Sequence, residues 1–366
     1  MKRVLIGPII DGKAGGIDRY ILNLFQSLQG EYAEFDFFSS QISESLQEHL
    51  EQHGAEIFAT GSFLHPLHQY RAFQQIFNQQ TYDTAYFNLS TALGIVGPLA
   101  AKRCGVKKIV IHSHANGYDD QNPLKRAVFT FLHKICRSIL YCFGTDFYAC
   151  SKKAGEWMFP RKIVNSNRFQ VVYNAINTDL FVYNAEVREV LRAKLQLEDA
   201  FVIGHIGNFL YPKNHAFLLQ VFTEVLRRDS SARLLLIGDG PLFEKIRMQA
   251  KEIGIENAVI FAGRRTDANL YLQAMDVFAF PSWFEGLGIV AIEAQAAGLP
   301  CICSDRVPQE ANATDLCTFL AIDTPTAVSD WANALVQTKN TLRTNRKAEI
   351  SAAGYDIKQQ DLKNLV

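Results

Sequence analysis

The sequence predicts an α/β protein made of two doubly wound, Rossmann-like domains. Three observations predict it. Short apolar runs of β character alternate with segments of helical period along the whole chain. These runs form two series separated by one polar, charged stretch, residues 177–200. At 366 residues the chain is also long for a single domain, which takes roughly 150.

Taken in order, the first series places strands at KRVLIG (2–7), AEFDFFS (33–39), EIFAT (56–60), DTAYFNL (83–89), KKIVIHS (107–113), DFYACS (146–151) and QVVYNAI (170–176). Their apolar residues run on rather than alternate, the pattern of strands covered on both faces of a parallel sheet. Between them lie helical patterns such as GIDRYILNLFQSL (16–28). The second series is FVIGHIG (201–207), ARLLLIG (232–238), AVIFAG (258–263), DVFAFPS (276–282), CICSD (301–305) and CTFLAI (317–322). Helices such as AFLLQVFTEVLRR (216–228) separate these strands too. The expected domains are residues 1–176 and 201–349, with 177–200 as the linker and a cleft between them. Ligands of such sheets sit at the carboxyl ends of the strands, so the loops there are the candidates for chemistry.

Composition narrows the function. Hydrophobic content of 48% with 20% charged residues suits a globular chain with a sizeable core. Lys and Arg balance Asp and Glu, 37 against 37, so the whole chain gives no footprint for nucleic acid. The balance is uneven locally: residues 102–168 hold 13 Lys/Arg against 4 Asp/Glu. Within them, at 123–144, Lys125, Arg126, Lys134 and Arg137 interrupt apolar and aromatic runs. That segment reads either as a packed helix with a solvated basic face or as a surface resting on anionic lipid. In the second case each basic residue contributes about 1 kcal/mol.

The seven cysteines show no paired metal-ligand spacing and read as small buried hydrophobes in a reducing compartment. The apolar run in MKRVLIGPIIDG is too short for a signal peptide, and no stretch approaches the roughly 18 apolar residues of a membrane span. The expected location is cytoplasmic, at most peripheral on the inner face of a membrane.

The most informative stretch is FEGLGIVAIEAQAAGLP (284–300). Gly286 and Gly288 open a helix whose first N–H groups have no intrahelical partner, which makes an anion site. No Lys-Ser/Thr pair follows, so it is not a nucleoside triphosphatase P-loop. A carboxylate does not hold phosphate, so Glu285 and Glu293 would serve groups on either side of it, and paired hydroxyls suit them. From the residues alone, Glu285 reads equally well as a helix-entry acid and Glu293 as a solvated helix residue. The apolar neighbours of Glu293, VAI before and AQAAGLP after, argue that it is buried.

Elsewhere, Gly15 and Gly16 (DGKAGGIDRY, 11–20) form a second glycine loop feeding a helix, weak on its own. GDGP (238–241) lacks the third glycine and later acid of a dinucleotide fingerprint, which sets a dehydrogenase aside. His112 and His114 alternate at a strand end with no third metal ligand in reach of the pattern. No Asp-x-Asp motif follows a strand.

Together these motifs resemble the retaining glycosyltransferases of family 4, which have the GT-B fold, in the branch that builds bacterial capsular, exopolysaccharide or lipopolysaccharide sugars. The likeness rests on E-x7-E (Glu285 to Glu293) after an FPS strand, and on GGIDRYILNL (15–24), IHSHANG (111–117), YACSKKAGEW (148–157), VVYNAI (171–176), IGNFLYPKNH (206–215), LLLIGDGPL (234–242) and FAGRRTD (261–267). It implies a nucleotide-sugar donor, no metal or other cofactor, and a glycan or lipid-linked glycan acceptor. Glu293 would bind the ribose, Glu285 the transferred sugar, and the backbone N–H groups of Gly286, Leu287 and Gly288 the diphosphate or sugar. Lys213 would neutralise the leaving diphosphate. One of His112 and His114, with His114 favoured, would sit beside the sugar, and Gly15 and Gly16 would lie near the phosphates or acceptor.

Where the family has arginine this chain has Asn208, which brings no charge, and Arg264 or Arg265 would compensate. That departure keeps a second reading open, a catalytically weak nucleotide-sugar-binding subunit partnering another transferase. Residues 350–366 resemble the family's last helix, which packs back on the first domain. Family frequency favours uridine as the base, and retention is attributed to front-face departure and attack.

Overall fold

The computed structural model describes residues 1–10, 15–118, 120 and 122–366, and its chain divides into two compact units. Unit 1 comprises residues 1–174 and 360–366, and unit 2 comprises 175–359.

Unit 1 is built on seven parallel strands: β1 (Lys2–Gly7), β2 (Ala33–Ser39), β3 (Ile57–Ala59), β4 (Thr84–Leu89), β5 (Lys108–Ser113), β6 (Asp146–Ala149) and β7 (Phe169–Val171). Their order in the sheet is β3-β2-β1-β4-β5-β6-β7. Helices α1 (Gly16–Leu28), α2 (Glu44–Gln52), α3 (Pro66–Gln79), α4 (Val96–Arg103), α5 (Pro123–Leu140), α6 (Lys152–Met158) and α7 (Arg161–Val164) connect them. Helix α1 follows from its spacing: Tyr20, Ile21, Leu24, Phe25 and Leu28 fall on one face, and all are buried. Phe25 meets Phe35 and Phe37 of β2 edge to face, at 5.9 and 5.2 Å between ring centroids.

Unit 2 has six parallel strands: β8 (Phe201–Ile206), β9 (Ala232–Ile237), β10 (Val259–Phe261), β11 (Val277–Phe280), β12 (Cys301–Ser304) and β13 (Cys317–Leu320). Their order is β10-β9-β8-β11-β12-β13. The helices are α8 (Ala185–Leu195), α9 (His215–Arg228), α10 (Phe243–Glu252), α11 (Ala268–Ala274), α12 (Ile289–Ala296), α13 (Ala327–Gln337) and α14 (Lys347–Ala352). Trp331 of α13 is fully buried against Phe217 of α9 and donates to Ala321 O at 2.9 Å, so its indole N–H is satisfied inside the core.

In both sheets the strand order reverses once, between β1 and β4 in unit 1 and between β8 and β11 in unit 2. Crevices at the carboxyl ends of such strand pairs are where doubly wound sheets hold ligands.

Three expectations are corrected. The strand expected over 170–176 ends at Val171, because the chain then finds other partners: Ile176 N donates to Tyr355 O (2.9 Å) and Ile357 N to Ile176 O (3.0 Å). The stretch 177–200 is no bare linker. Helix α8 starts on an Asn184 cap, whose Oδ1 accepts from Val187 N at 3.0 Å, and belongs to unit 2. Its Arg188 and Arg192 both reach Asp276 at the foot of β11, at 2.5 and 3.2 Å, and Asp276 also accepts from Val202 N at 2.7 Å.

Residues 350–366 do not form one helix. Helix α14 ends at Ala352, ahead of the left-handed Gly354 (φ 86°), and only residues 360–366 join unit 1. There Lys2 Nζ donates to Val366 O at 2.8 Å and Lys108 Nζ to Asn364 O at 3.0 Å.

Candidate active site

In unit 2 the loops that follow β8 and β11 flank the point of strand reversal, and they carry Lys213 and Glu285. Two hydrogen bonds stitch these loops together: Trp283 N donates to Pro212 O at 2.8 Å, and the side-chain Nδ2 of Asn214 to Pro281 O at 3.2 Å. Lys213 Nζ consequently lies 2.6 Å from Glu285 Oε1, with 20% and 14% of the two side chains exposed. Ser282 Oγ donates to the same oxygen at 2.7 Å. The lysine also passes over the Phe280 ring, 5.1 Å from its centroid.

Past Glu285 the chain turns through Gly286, buried Leu287 and Gly288 into α12. Gly288 is left-handed (φ 90°), and a Cβ there would come within 3.1 Å of both Phe280 Cε1 and Val307 Cγ1. Only glycine meets both demands. The first N–H groups of α12 open at this turn. Glu293 lies one helical turn on and is 6% exposed, within a helix whose residues from Val290 to Ala296 are all buried.

Gln295, two residues further, fixes the neighbouring loop and was not singled out from the sequence. Its Nε2 donates to Ala291 O (2.9 Å) and Ala311 O (2.7 Å), and its Oε1 accepts from Ala313 N, Thr314 N and Thr314 Oγ1. Asn208 is half-buried in the β8 loop. Arg264 is exposed after β10, and Arg265 is engaged by Asp267 through two contacts of 2.8 Å.

Two imidazoles lie close to Lys213. His205 donates from Nδ1 to Ala279 O at 2.8 Å, and His215 packs edge to face on it with centroids 4.8 Å apart. Burial pushes His205 down to about 4 and His215 well below the usual imidazole range, with the Lys213 charge adding to both.

In unit 1 the corresponding crevice is framed by the ends of β1, β4 and β5. Gly15 caps α1 with φ 115° and Gly16 is its first residue, while residues 11–14 of that loop lie outside the described residues. Asp18 turns back from α1, its Oδ1 accepting from Ile10 N at 3.1 Å. His112 is fully enclosed, with Nδ1 3.0 Å from the Tyr86 hydroxyl, which meets the Tyr20 hydroxyl at 2.8 Å.

His114 is 8% exposed, with Nε2 2.9 Å from Asn88 Oδ1. Asn88 Nδ2 donates to Gly7 O at 3.3 Å, so its oxygen faces the ring and Nε2 carries the proton. Burial holds both histidines neutral, His114 at about 3 and His112 well below the usual range, where the neighbouring His114 lowers it further. Between them His114 is the more open, and neither brings positive charge at neutral pH.

One further surface stands out. Helix α5 starts on an Asn122 cap and buries only His133 and Leu140. Leu124, Val128, Phe131, Leu132, Ile135 and Ile139 recur at helical spacing and are 40–73% exposed. The apolar stripe is turned outward, so the helix is not packed with only a basic face left to solvent. Phe129 touches Phe63, whose neighbours Leu64 and Leu67 are also exposed. Among the described residues no helix is long and apolar enough to cross a membrane.

Two family models match the chain, Glycosyltransferase Family 4 over residues 14–180 and Glycosyl transferases group 1 over residues 200–339. The chain is similar to EpsF of Bacillus subtilis (strain 168), whose name places it among glycosyltransferases, at 29% identity over 98% of this chain and 94% of that one. It is 23% identical to the Escherichia coli UDP-Gal:alpha-D-GlcNAc-diphosphoundecaprenol alpha-1,3-galactosyltransferase, over 79% of this chain and 76% of that protein.

Among solved structures, Anabaena HepE in complex with UDP and glucose superposes with a TM-score of 0.78 at 18% identity, covering 100% of this chain and 98% of that one. The sucrose-phosphate synthase of Thermosynechococcus elongatus gives 0.76 at 17% identity, over 100% and 97%. These likenesses establish the fold as GT-B.

Proposed function

The chain belongs to the glycosyltransferases that join a family 4 domain to a group 1 domain, and from that premise we propose the reaction it runs. It moves a sugar, with retention and without a metal, from a nucleoside diphosphate to a glycan acceptor carried on a lipid, in the assembly of a bacterial surface polysaccharide. The observation that carries this reading is the pairing of Lys213 with Glu285 at the reversal of the second sheet, beside the glycine turn that opens α12.

Departure of the diphosphate builds negative charge. The Lys213 ammonium and the N–H groups of the Gly286–Gly288 turn stabilise that charge in a site largely shielded from water. Glu285 accepts hydroxyls of the transferred sugar on one side, and Glu293 accepts the ribose hydroxyls on the other. The role we assign to His114, neutral and fixed in one tautomer, is recognition of the transferred sugar. Uridine is the base we infer, since the Escherichia coli relative is named for UDP-galactose and HepE is seen with UDP.

Peripheral attachment at the inner face of the membrane fits a lipid-carried acceptor. The outward stripe of α5 is apolar, and Lys125, Arg126 and Lys134 on the same helix supply charge for anionic head groups. A second reading, a nucleotide-sugar-binding subunit of low activity, is favoured only by the uncharged Asn208.

Thermal unfolding with UDP, GDP and ADP, each with and without a chelator, tests the donor site. A ligand at 100 times its Kd adds about 2.7 kcal/mol, which for domains of this size is a shift of roughly 5–10 °C. A chelator-insensitive shift with UDP is expected. Turnover of a nucleotide-sugar by the isolated chain would eliminate the binding-subunit reading, and no shift with any diphosphate would refute the donor site.

A further inference from the structure

Glu285 Oε1 receives two donors at once, Lys213 Nζ at 2.6 Å and Ser282 Oγ at 2.7 Å. Among the described residues, no donor is placed on its Oε2. The carboxylate is thus held by one oxygen and offers the other. The two donors differ in what binding does to them. Lys213 is the ammonium that a diphosphate would draw away, and its four-carbon stem lets it turn. Ser282 has no such freedom: it is fully buried, and its carbonyl is fixed by Ser304 Oγ at 2.6 Å. Ser304 is itself fully buried at the end of β12.

When the ammonium leaves, a carboxylate only 14% exposed loses its counter-ion. Without another donor it would turn towards water or towards the incoming phosphates, which repel it. We propose that Ser282 is the positioning residue that keeps Glu285 aimed at the donor sugar once Lys213 has moved to the diphosphate.

In the resting protein the Lys213–Glu285 pair occupies the place that the donor takes over. Binding then exchanges partners: the ammonium passes from carboxylate to diphosphate, and the freed carboxylate takes a sugar hydroxyl in its place. Through this exchange the Ser282 bond persists. The inference rests on the reading of Lys213 and Glu285 as donor-site residues. It goes beyond that reading in assigning Ser282 a role in sugar, and not nucleotide, recognition.

The test measures the Kd for UDP and for UDP-glucose, UDP-galactose and UDP-N-acetylglucosamine, using the whole chain, and takes the sugar that the wild type binds best. In Ser282→Ala the UDP Kd is expected to stay within about twofold. The UDP-sugar Kd and kcat are expected to worsen by about tenfold or more, the range for losing a hydrogen bond to a charged group. Ser282→Thr, which keeps the hydroxyl, should recover most of the loss. In a Glu285→Gln background Ser282→Ala should add little, since both act through one carboxylate.

Loss of UDP and UDP-sugar binding in parallel would assign Ser282 a structural role and overturn the proposal, as would unchanged UDP-sugar binding and kcat. Additive effects of Ser282→Ala and Glu285→Gln would overturn it too. Failure of the wild type to bind any of these probes would instead overturn the donor-site reading, and this inference with it.

Discussion

Replacing Lys213 by methionine keeps the length of the side chain and removes its charge, so the two roles of the ammonium separate. Its structural role is the bond to Glu285. Removing one partner of a buried ion pair costs about 3–5 kcal/mol, and exposed pairs are worth at most about 1 kcal/mol. With side chains 20% and 14% exposed, and Ser282 still bonded to the carboxylate, the pair falls between these limits, at about 2 kcal/mol. In a domain of this size that lowers Tm by roughly 4–8 °C. Its chemical role is larger: loss of one preorganised donor to developing charge costs about 10²–10³ in kcat.

Differential scanning calorimetry and initial rates at saturating donor read the two separately. Adding Glu285→Gln to Lys213→Met should return part of the lost Tm, because no uncompensated carboxylate remains, but none of the lost rate. A near-normal kcat in Lys213→Met would refute the leaving-group role. An unchanged Tm would refute the ion pair as a feature of the protein in solution.

Glu293→Ala should weaken UDP binding by about tenfold or more, the loss for a hydrogen-bonded charged group, in a chain that still unfolds cooperatively; unchanged calorimetric affinity would remove its ribose role. Phe131→Glu with Ile135→Glu should abolish sedimentation with phosphatidylglycerol vesicles, and wild-type binding should fall with salt; salt-independent or absent wild-type binding would refute the lipid surface. Acid should destabilise both units through their buried histidines. His114, His133 and His205 are held down to about 3, 4 and 4, and His112 and His215 well below the usual range, all chiefly by burial. Their folded values lie below an unfolded value of about 6.5, so the stability they contribute is complete above pH 6.5 and is lost progressively as pH falls. Each group costs up to about 1.4 kcal/mol per pH unit in that window. Tm should drop steeply between pH 7 and 5, and a flat profile would count against these assignments.

Most of the fold was legible because its signal is local. The strand at AEFDFFS and the helix at GIDRYILNLFQSL occupy the residues that their patterns mark. Where the reading failed, a distant partner had intervened. Val172 to Ile176 are as apolar as a strand requires, yet Ile176 pairs with residues 355–357, nearly two hundred positions away. The charge of α8 suggested a solvated linker because nothing in its sequence announces Asp276 as the acceptor for two of its arginines.

The site divides in the same way. The burial of Glu293 could be read from its neighbours, and the turn at Gly288 from its glycines. The bond between Lys213 and Glu285 spans 72 positions, and no periodicity encodes it. Ser282, Asn88 and Gln295 look like ordinary polar residues until the atoms they face are known. The outward stripe of α5 has the same spacing as a core face, and only the placement of the helix tells the two apart.

The tie between α8 and Asp276 bears on how such chains can be recombined. A chimera cut at residue 200, where the second series of strands begins, would separate Arg188 and Arg192 from the carboxylate and the strand foot they hold. The carboxylate would keep its place beside β8 with both guanidinium partners replaced by whatever the donor parent supplied. Exchange of nucleotide specificity should therefore move residues 175–359 as one cassette, with crossovers after Asn174 and before Gln360. The transplant then carries its own tether, and the last seven residues stay with the sheet they brace.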